Sequence, residues 1–491
     1  MSEAKFYDAH CHIMNLSHPN LLAFLQRLNL PMIMLFAPLL PFLMKQNYNK
    51  IKNLLSVMEN DLGTLLLMME RFLLEDERLW ENGQLWIGGN LYSKIILTPL
   101  LMDFGYKGRT DPGIYYNLPS KKPIAEQVCD LFNGIRKYTK ESKRKLFEIY
   151  PFLGLNTQNY PLDDETSEKV IQRPDLEQLN ETLRQKVKYN VTTGKLTFYG
   201  RMLKKEEQAL EMFFENDQDK HAVKLLFDKS QKIKTRTTLR KLLDKYFADY
   251  QALPEELEAK MGKFTGNIDR MGCNFFAGIK VYPPLGFDPW PEDDLEELAK
   301  VKLLYEYCSA KRIPITSHCN SGGFVVINKR LSKKITSPDR WERVLNNYPE
   351  LILNLAHFGK ENKKFMLFPV ERWTRKIIKM IDRFDYLYVD FSFNGLDKDY
   401  YRDLRRYIDG SPVGLREKLK QRILFGSDFM INLTGVESYN EYLRIFAESP
   451  YFSAEEKHQF CGVNAERFLF GESVTVEKEG ADEEVAVARE V

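Results

Sequence analysis

The sequence is poor in several features that would announce a function. Its six cysteines (Cys11, Cys129, Cys273, Cys308, Cys319 and Cys461) are scattered and form no C-x-x-C pair. Neither a disulfide framework nor a cysteine zinc cluster is expected, and reduced thiols in a cytoplasm suit the pattern. Charge of one sign is also lacking, because 71 Lys and Arg face 69 Asp and Glu. A net charge of +2 removes the electrostatic case for nucleic acid, and with it most of the case for a nuclease. No G-x-G-x-x-G or G-x-x-x-x-G-K-[ST] follows any apolar run, so the usual nucleotide loops are excluded. The opening "MSEAKFYDAH" has no apolar h-region, and no secretory signal is expected. Long apolar runs are scarce. The uncharged stretch "LPMIMLFAPLLPFLM", residues 30–44, is the exception. It falls short of the roughly 18–20 residues of a membrane span, and Pro31, Pro38 and Pro41 interrupt it. It reads as a buried helical lid or a homo-oligomer contact, with a membrane-touching loop as the alternative.

Histidine is scarce too, at seven in 491 residues, yet "KFYDAHCHIMN" (5–15) places His10 and His12 two apart near the start. On a strand, residues two apart share a side, so both imidazoles would face one point while Cys11 faces away. Such a pair can hold a transition metal, or it can be accidental.

What is abundant is the alternation of short apolar runs with helical segments. After the opening run come 94–104, 147–155, 275–284, 312–320, 351–359, 386–394 and 422–430, eight runs in all. Each is nearly continuous, as expected for parallel strands buried on both faces. Between them, 292–311 has apolar Leu295, Leu298, Ala299 and Leu303 near helical spacing, with Pro291 at its first turn. Residues 337–348 follow an N-cap candidate, Ser337, and 368–384 behaves similarly. Eight β/α units predict a closed (β/α)8 TIM barrel, with an open doubly wound sheet as the alternative. The barrel needs about 250 residues, leaving room for long helical insertions after strands one and three. The predicted division is a barrel over 1–471, insertions at about 16–90 and 158–268, and a tail at 472–491. The second insertion is charge-dense and reads as a mostly helical cap over the site or a solvated subdomain. The acidic tail reads as disordered.

Chemistry-bearing residues recur at the ends of these runs: Asp8, His10 and His12, Lys280 in "GIKVYPP", His318 in "ITSHCN", His357 in "NLAHFG" and Asp428 in "FGSDF". In a parallel barrel all these ends open on one face, where such enzymes work. Singly, each has an ordinary structural reading: a satisfied histidine, a salt-bridged lysine, a turn aspartate. Their joint order along eight strands favours one site. His18, His221 and His458 look like surface residues.

In this set the chain resembles the metal-dependent amidohydrolase superfamily, in its amidohydrolase-related branch. "DAHCH", "GIKVYPPLGFDP", the contexts of His318, His357 and Asp428, and the ending "SAEEKHQFCGVNAERFLFG" with Asn464 and Ala465 carry the likeness. The resemblance implies that His10, His12 and Asp428 bind a first metal, and that His318 is a ligand to it or to a second. His357 would bind a second metal or polarise substrate. Lys280 would bridge two metals if carboxylated, or orient an anionic group as an ammonium. The implied cofactor is one or two divalent metals, zinc first, with manganese or iron next. The implied reaction is hydrolysis of an amide, ester or lactone-like bond of a small molecule, with Asp428 as general base. Rivals are a one-metal decarboxylase or hydratase of small carboxylic acids, and a non-catalytic scaffold. Tyr282, Asn320 and Lys360 are candidate substrate readers, followed by Asp103, Lys107, Asn156, Gln158, Ser392 and Asn394.

Overall fold

The computed structural model describes residues 4–15, 18, 54–103, 124–162, 187–190, 195–198, 201–202, 237–325, 327–361, 364–365, 368–369 and 371–471. Every apolar run predicted as a strand contains one. They are β1 (Lys5–Cys11), β2 (Lys94–Pro99), β3 (Phe147–Ile149 and Phe152–Gly154), β4 (Gly278–Val281), β5 (Ile315–Ser317), β6 (Leu353–Leu355), β7 (Leu387–Asp390) and β8 (Ile423–Leu424). Pro151, which has no N–H to give, divides β3 into its two pieces.

One sheet has the order β1-β2-β3 through the first piece of β3, and the other runs β8-β7-β6-β5-β4-β3 through the second. All pairings in both are parallel. Registered residues such as Ile279, Ile315, Leu353 and Leu387 are fully buried, which is why the runs are continuously apolar. The sheets also meet each other. Leu101 N–H donates to Phe152 O at 3.2 Å on one side, and Ala9 N–H donates to Phe425 O at 3.0 Å on the other.

Helices follow the strands. Ser337 caps the helix Pro338–Asn347, its hydroxyl accepting from Asp339 N at 3.2 Å, as the sequence predicts. The helix after β4 is shifted from its expectation. It starts at Leu295 with Asp294 as its cap, leaving Pro291 outside. Its buried stripe is Val301, Leu304, Tyr305 and Cys308, while Leu295 is 79% exposed. The i, i+3, i+4, i+7 spacing of that stripe fits a helix better than the predicted face.

The first inter-strand excursion holds the helix Leu62–Leu74 and an unpredicted antiparallel sheet of Trp80–Glu81, Gln84–Ile87 and Asn90–Tyr92. Within the second, the helices Leu239–Phe247 and Pro254–Lys260 agree with expectation. Val187–Asn190, Lys195–Phe198 and Arg201–Met202 do not, because they form antiparallel strands where helix was expected. The alternation Val187-Lys188-Tyr189 and Leu196-Thr197-Phe198 has the period of a strand. The apolar stretch 30–44, the expected helix at 204–216 and the tail 472–491 lie outside the described residues. Among the described residues no helix is long and apolar enough to cross a membrane. All six cysteines are free thiols.

The closing helix, Asn464–Phe470, is pinned by its first residue. Asn464 Nδ2 donates to Lys420 O at 2.6 Å and to Ile423 O at 2.7 Å, which ties the helix to β8. Asn464→Asp would set a carboxylate against two carbonyl oxygens. It should destabilise the fold by about 3 kcal/mol or more, against about 1–3 for Asn464→Ala. Urea unfolding of the two variants checks that order.

Candidate metal centre

His10 and His12 converge as the two-residue spacing predicts. The His10 ring is fully buried, with Nδ1 2.9 Å from Asp390 Oδ2. A carboxylate there fixes the proton on Nδ1 and leaves a lone pair on Nε2. His12 is held alike, its Nδ1 donating to Leu100 O at 2.9 Å. Both Nε2 atoms then face Asp428 Oδ1, at 3.5 Å from His10 and 3.3 Å from His12. One ligand atom from each of the three residues lies within 4.8 Å of the others. The buried Nε2 of His10 has no hydrogen-bond partner. Two lone pairs and a carboxylate aimed at one point, with an orphaned nitrogen among them, fit a divalent cation with N and O ligands.

The flanking residues explain how the ligands reach that point. Gly426 precedes Asp428 in "FGSD", and a Cβ there would lie 2.7 Å from His10 Cβ, so glycine is required. Asp428 itself has a left-handed backbone, φ +57°, which turns its side chain away from an ordinary strand direction. Burial would raise its carboxyl, but the imidazoles of His12, His357 and His10 beside it hold it below the usual range. It is ionised at neutral pH.

The other predicted ligands are adjacent and paired with each other. His357, at φ +61°, places Nδ1 3.0 Å from Ser392 O and 2.9 Å from Ser392 Oγ. The Ser392 hydroxyl donates to Asp390 Oδ1, so His357 Nδ1 is the donor and its Nε2 an acceptor. That Nε2 is 3.1 Å from His318 Nδ1, and His318 Nε2 is 3.3 Å from Gly322 O. The rings of His10 and His357 are 5.0 Å apart. Among the described residues, the grouping tight enough to hold one ion is therefore His10, His12 and Asp428, with His318 and His357 beside it.

Lys280, next to last in β4, has its amine buried and without a hydrogen-bond partner. Burial pulls its pKa down to about 8, against the attraction of Asp390 and Asp428. Burial likewise pushes His10 down to about 4, helped by Lys280 and opposed by Asp390 and Asp428. His318 is lowered well below its ordinary value by burial, His357 and Lys280. Neutral imidazoles are the form that ligates metal.

Asp390 is the functional residue the sequence reading missed. It accepts from His10 Nδ1, Asn354 Nδ2 at 2.8 Å, His357 N at 3.0 Å, and Ser392 N at 3.1 Å and Oγ. Burial would raise it, yet His10 beside it and these hydrogen bonds hold its carboxyl well below the usual range. An acid in the middle of the seventh apolar run, where the strand itself ends, was the available signal.

The expected substrate readers divide. Tyr282 stacks on His318 at 4.5 Å, and its hydroxyl accepts from Phe324 N at 2.9 Å. Asn320 closes its own loop by accepting from Gly322 N at 2.8 Å, and Lys360 is exposed. Asp103, Asn156 and Gln158 bind neighbouring chain, as in Asn156 N to Asp103 Oδ2 at 3.1 Å and Gln158 Nε2 to Gly286 O at 2.7 Å. Asn394 Nδ2 donates to His357 O at 2.8 Å, and Ser392 orients His357. Lys107 and His221 lie outside the described residues. His18 corrects the surface expectation: it is fully buried, with Nε2 3.0 Å from Asp130 Oδ2. His458 is half-buried and meets Tyr92 OH at 3.0 Å. Cys11 and Cys319 pack into the core, away from the ligands, as expected.

Residues 264–471 match the family model described as amidohydrolase. Over these residues, somewhat less than half of the chain, the protein is similar to the amidohydrolase family. The match spans β4 to the closing helix and so includes Lys280, His318, His357, Asp390 and Asp428. Similar solved structures include an uncharacterised TIM-barrel protein from Bordetella bronchiseptica (18% identity, 45% of this chain and 64% of that one, TM-score 0.29). Another, from Pseudomonas putida, is provisionally assigned as a 2-pyrone-4,6-dicarboxylic acid hydrolase (16%, 42% and 66%, TM-score 0.28). A zinc-bound amidohydrolase from Burkholderia multivorans is a third (18%, 51% and 79%, TM-score 0.29). The first two are thus covered over slightly less than two thirds of their length. No curated protein matches the chain.

Proposed function

We propose that this chain is a metal-dependent hydrolase of a small molecule, acting on an amide, ester or lactone-like bond. The observation that carries the reading is the convergence of His10 Nε2, His12 Nε2 and Asp428 Oδ1, with both Nδ1 protons anchored elsewhere. The amidohydrolase match over 264–471 supports it. We read the two sheets as one closed eight-stranded barrel, on the hydrogen bonds that join them at both margins. The excursions after β1 and β3 are then insertions at the catalytic face, the second a cap, and the setting is cytoplasmic.

Zinc is the expected ion, with manganese or iron as substitutes, and when bound it supplies a Lewis acid that polarises a carbonyl and acidifies water. Asp428, ionised at neutral pH, accepts the proton of the attacking water and passes it to the leaving group. His357 donates from Nδ1 to Ser392 and keeps its Nε2 toward the site, next to His318. Tyr282, packed on His318, walls the same side.

A second reading is favoured by Lys280, whose unpaired amine suits an anionic group of a small carboxylic acid in a one-metal decarboxylase. Plasma mass spectrometry on untagged, chelator-free protein, paired with a panel of amides, esters, lactones and β-keto or aromatic acids, tests both. Hydrolysis with bound metal supports the first reading, and carbon dioxide release supports the second. Absence of metal after zinc and manganese supplementation overturns both. Lys280→Met should leave one equivalent of metal bound and lower turnover by at least about 10²-fold. The metal-free variant should be no less stable in urea, since methionine replaces a buried amine that has no partner.

A further inference from the structure

We propose that Asp8 is a positioning residue for the metal triad, acting through Ser427 and Tyr439 and touching none of the three ligand atoms. The proposal rests on the metal reading above and extends it to a group with no place in that chemistry. Asp8 is fully buried on β1. Its Oδ1 accepts from Ser427 N at 2.9 Å and from the backbone N of His10 at 3.3 Å. Its Oδ2 accepts from Ser427 Oγ at 2.5 Å and Tyr439 OH at 3.1 Å. One carboxylate thus grips both the backbone of His10 and the residue just before Asp428.

The neighbouring bonds make this grip decisive for the ligands. Ser427 Oγ also accepts from Phe429 N at 2.9 Å, so both residues flanking Asp428 are fixed through Ser427. Asp428 N–H donates to His10 O at 2.8 Å, and His12 N–H donates to Phe429 O. Between those fixed neighbours Asp428 keeps its left-handed backbone, φ +57°, a conformation that relaxes once its flanks are free. His10 on β1, His12 just past its end and Asp428 in the segment after β8 therefore hold their spacing by way of the Asp8 carboxylate. The N–H groups of Ser427 and His10 can only donate to it, and an amide at this place would force the hydroxyls of Ser427 and Tyr439 to turn from donors to acceptors.

The test is zinc affinity of the folded protein, measured by chelator competition beside urea unfolding of the metal-free form. Asp8→Asn and Ser427→Ala should weaken zinc on the order of 10–100-fold, as loss of groups behind metal ligands commonly does. Tyr439→Phe, which retains the fold with one bond fewer, should weaken it several-fold. The double variant Asp8→Asn/Ser427→Ala should bind no more weakly than the worse single one. Cobalt(II) loaded into the variants should show altered visible bands, because the ligand geometry itself changes. The proposal is overturned if Ser427→Ala and Tyr439→Phe lower only the urea midpoint and leave zinc affinity within twofold and the cobalt spectrum unchanged. His10→Ala is the control. If it too binds zinc normally, the metal reading fails and the clamp falls with it.

Discussion

His10→Ala is expected to lose its metal and, with it, activity by at least on the order of 10³-fold. The buried Nε2 of His10 has no hydrogen bond to give up, so its lone pair is fully available to an ion. Removing it leaves His12 and Asp428, a two-ligand site. Asp428→Asn keeps the shape of its side chain and should give a similar loss, because the carboxylate charge goes. Metal per chain and zinc affinity check both, and retention of a full equivalent by either variant would remove the triad from the metal. The same histidine sets a pH dependence. Its pKa is about 4 in the fold and near 6.5 when unfolded, so between these values the unfolded chain binds the extra proton. Stability of the metal-free protein should therefore fall as pH drops from about 6.5 toward 4. Metal binding should persist to lower pH than an ordinary histidine allows, since protons compete poorly for this ring. Urea titrations and zinc binding at pH 5 and pH 7 measure the two effects.

Much of the framework was legible because strands buried on both faces must be continuously apolar, and each of the eight runs contains its strand. The closing asparagine was legible as a motif, though its cause, two carbonyls needing one amide, appears only in three dimensions. The small sheet after β1 went unread despite its signals. Asn82-Gly83 and Gly88-Gly89 all have positive φ, as two-residue hairpin turns demand, but strands of two to four residues carry too little periodicity. At the site, His10, His12 and Asp428 were legible from chemistry and strand position. The pairing of His318 with His357 was not, because it depends on which ring nitrogen carries each proton, and that is set by Ser392 and Asp390. Loop residues such as Asn156 and Gln158 looked like substrate readers because polarity in a loop says nothing about where the partner is. Here the partner is the protein's own backbone.

Asp390→Asn is expected to weaken metal binding on the order of 10²-fold or more and to cut turnover with it, although the substitution changes no ligand. The direction follows from how the donors divide. Oδ1 takes His357 N, Ser392 N and Ser392 Oγ, whereas Oδ2 takes His10 Nδ1 and Asn354 Nδ2. An asparagine has one oxygen, and the three-donor side claims it. Its NH2 then faces His10 Nδ1, which can remain there only as an acceptor. The imidazole proton must move to Nε2, the atom that should hold the metal, so the variant stores its defect in a tautomer. Asp390→Ala differs, because it leaves five donors without an acceptor and should destabilise the fold by about 5 kcal/mol or more. The decisive measurement is the nitrogen chemical shifts of His10 in the metal-free Asp390→Asn protein, beside its zinc affinity. A proton found on Nε2 with weakened zinc shows that the carboxylate works by fixing the ring. Unchanged shifts and unchanged affinity would reduce Asp390 to a structural acceptor and leave the orientation of His10 to packing alone.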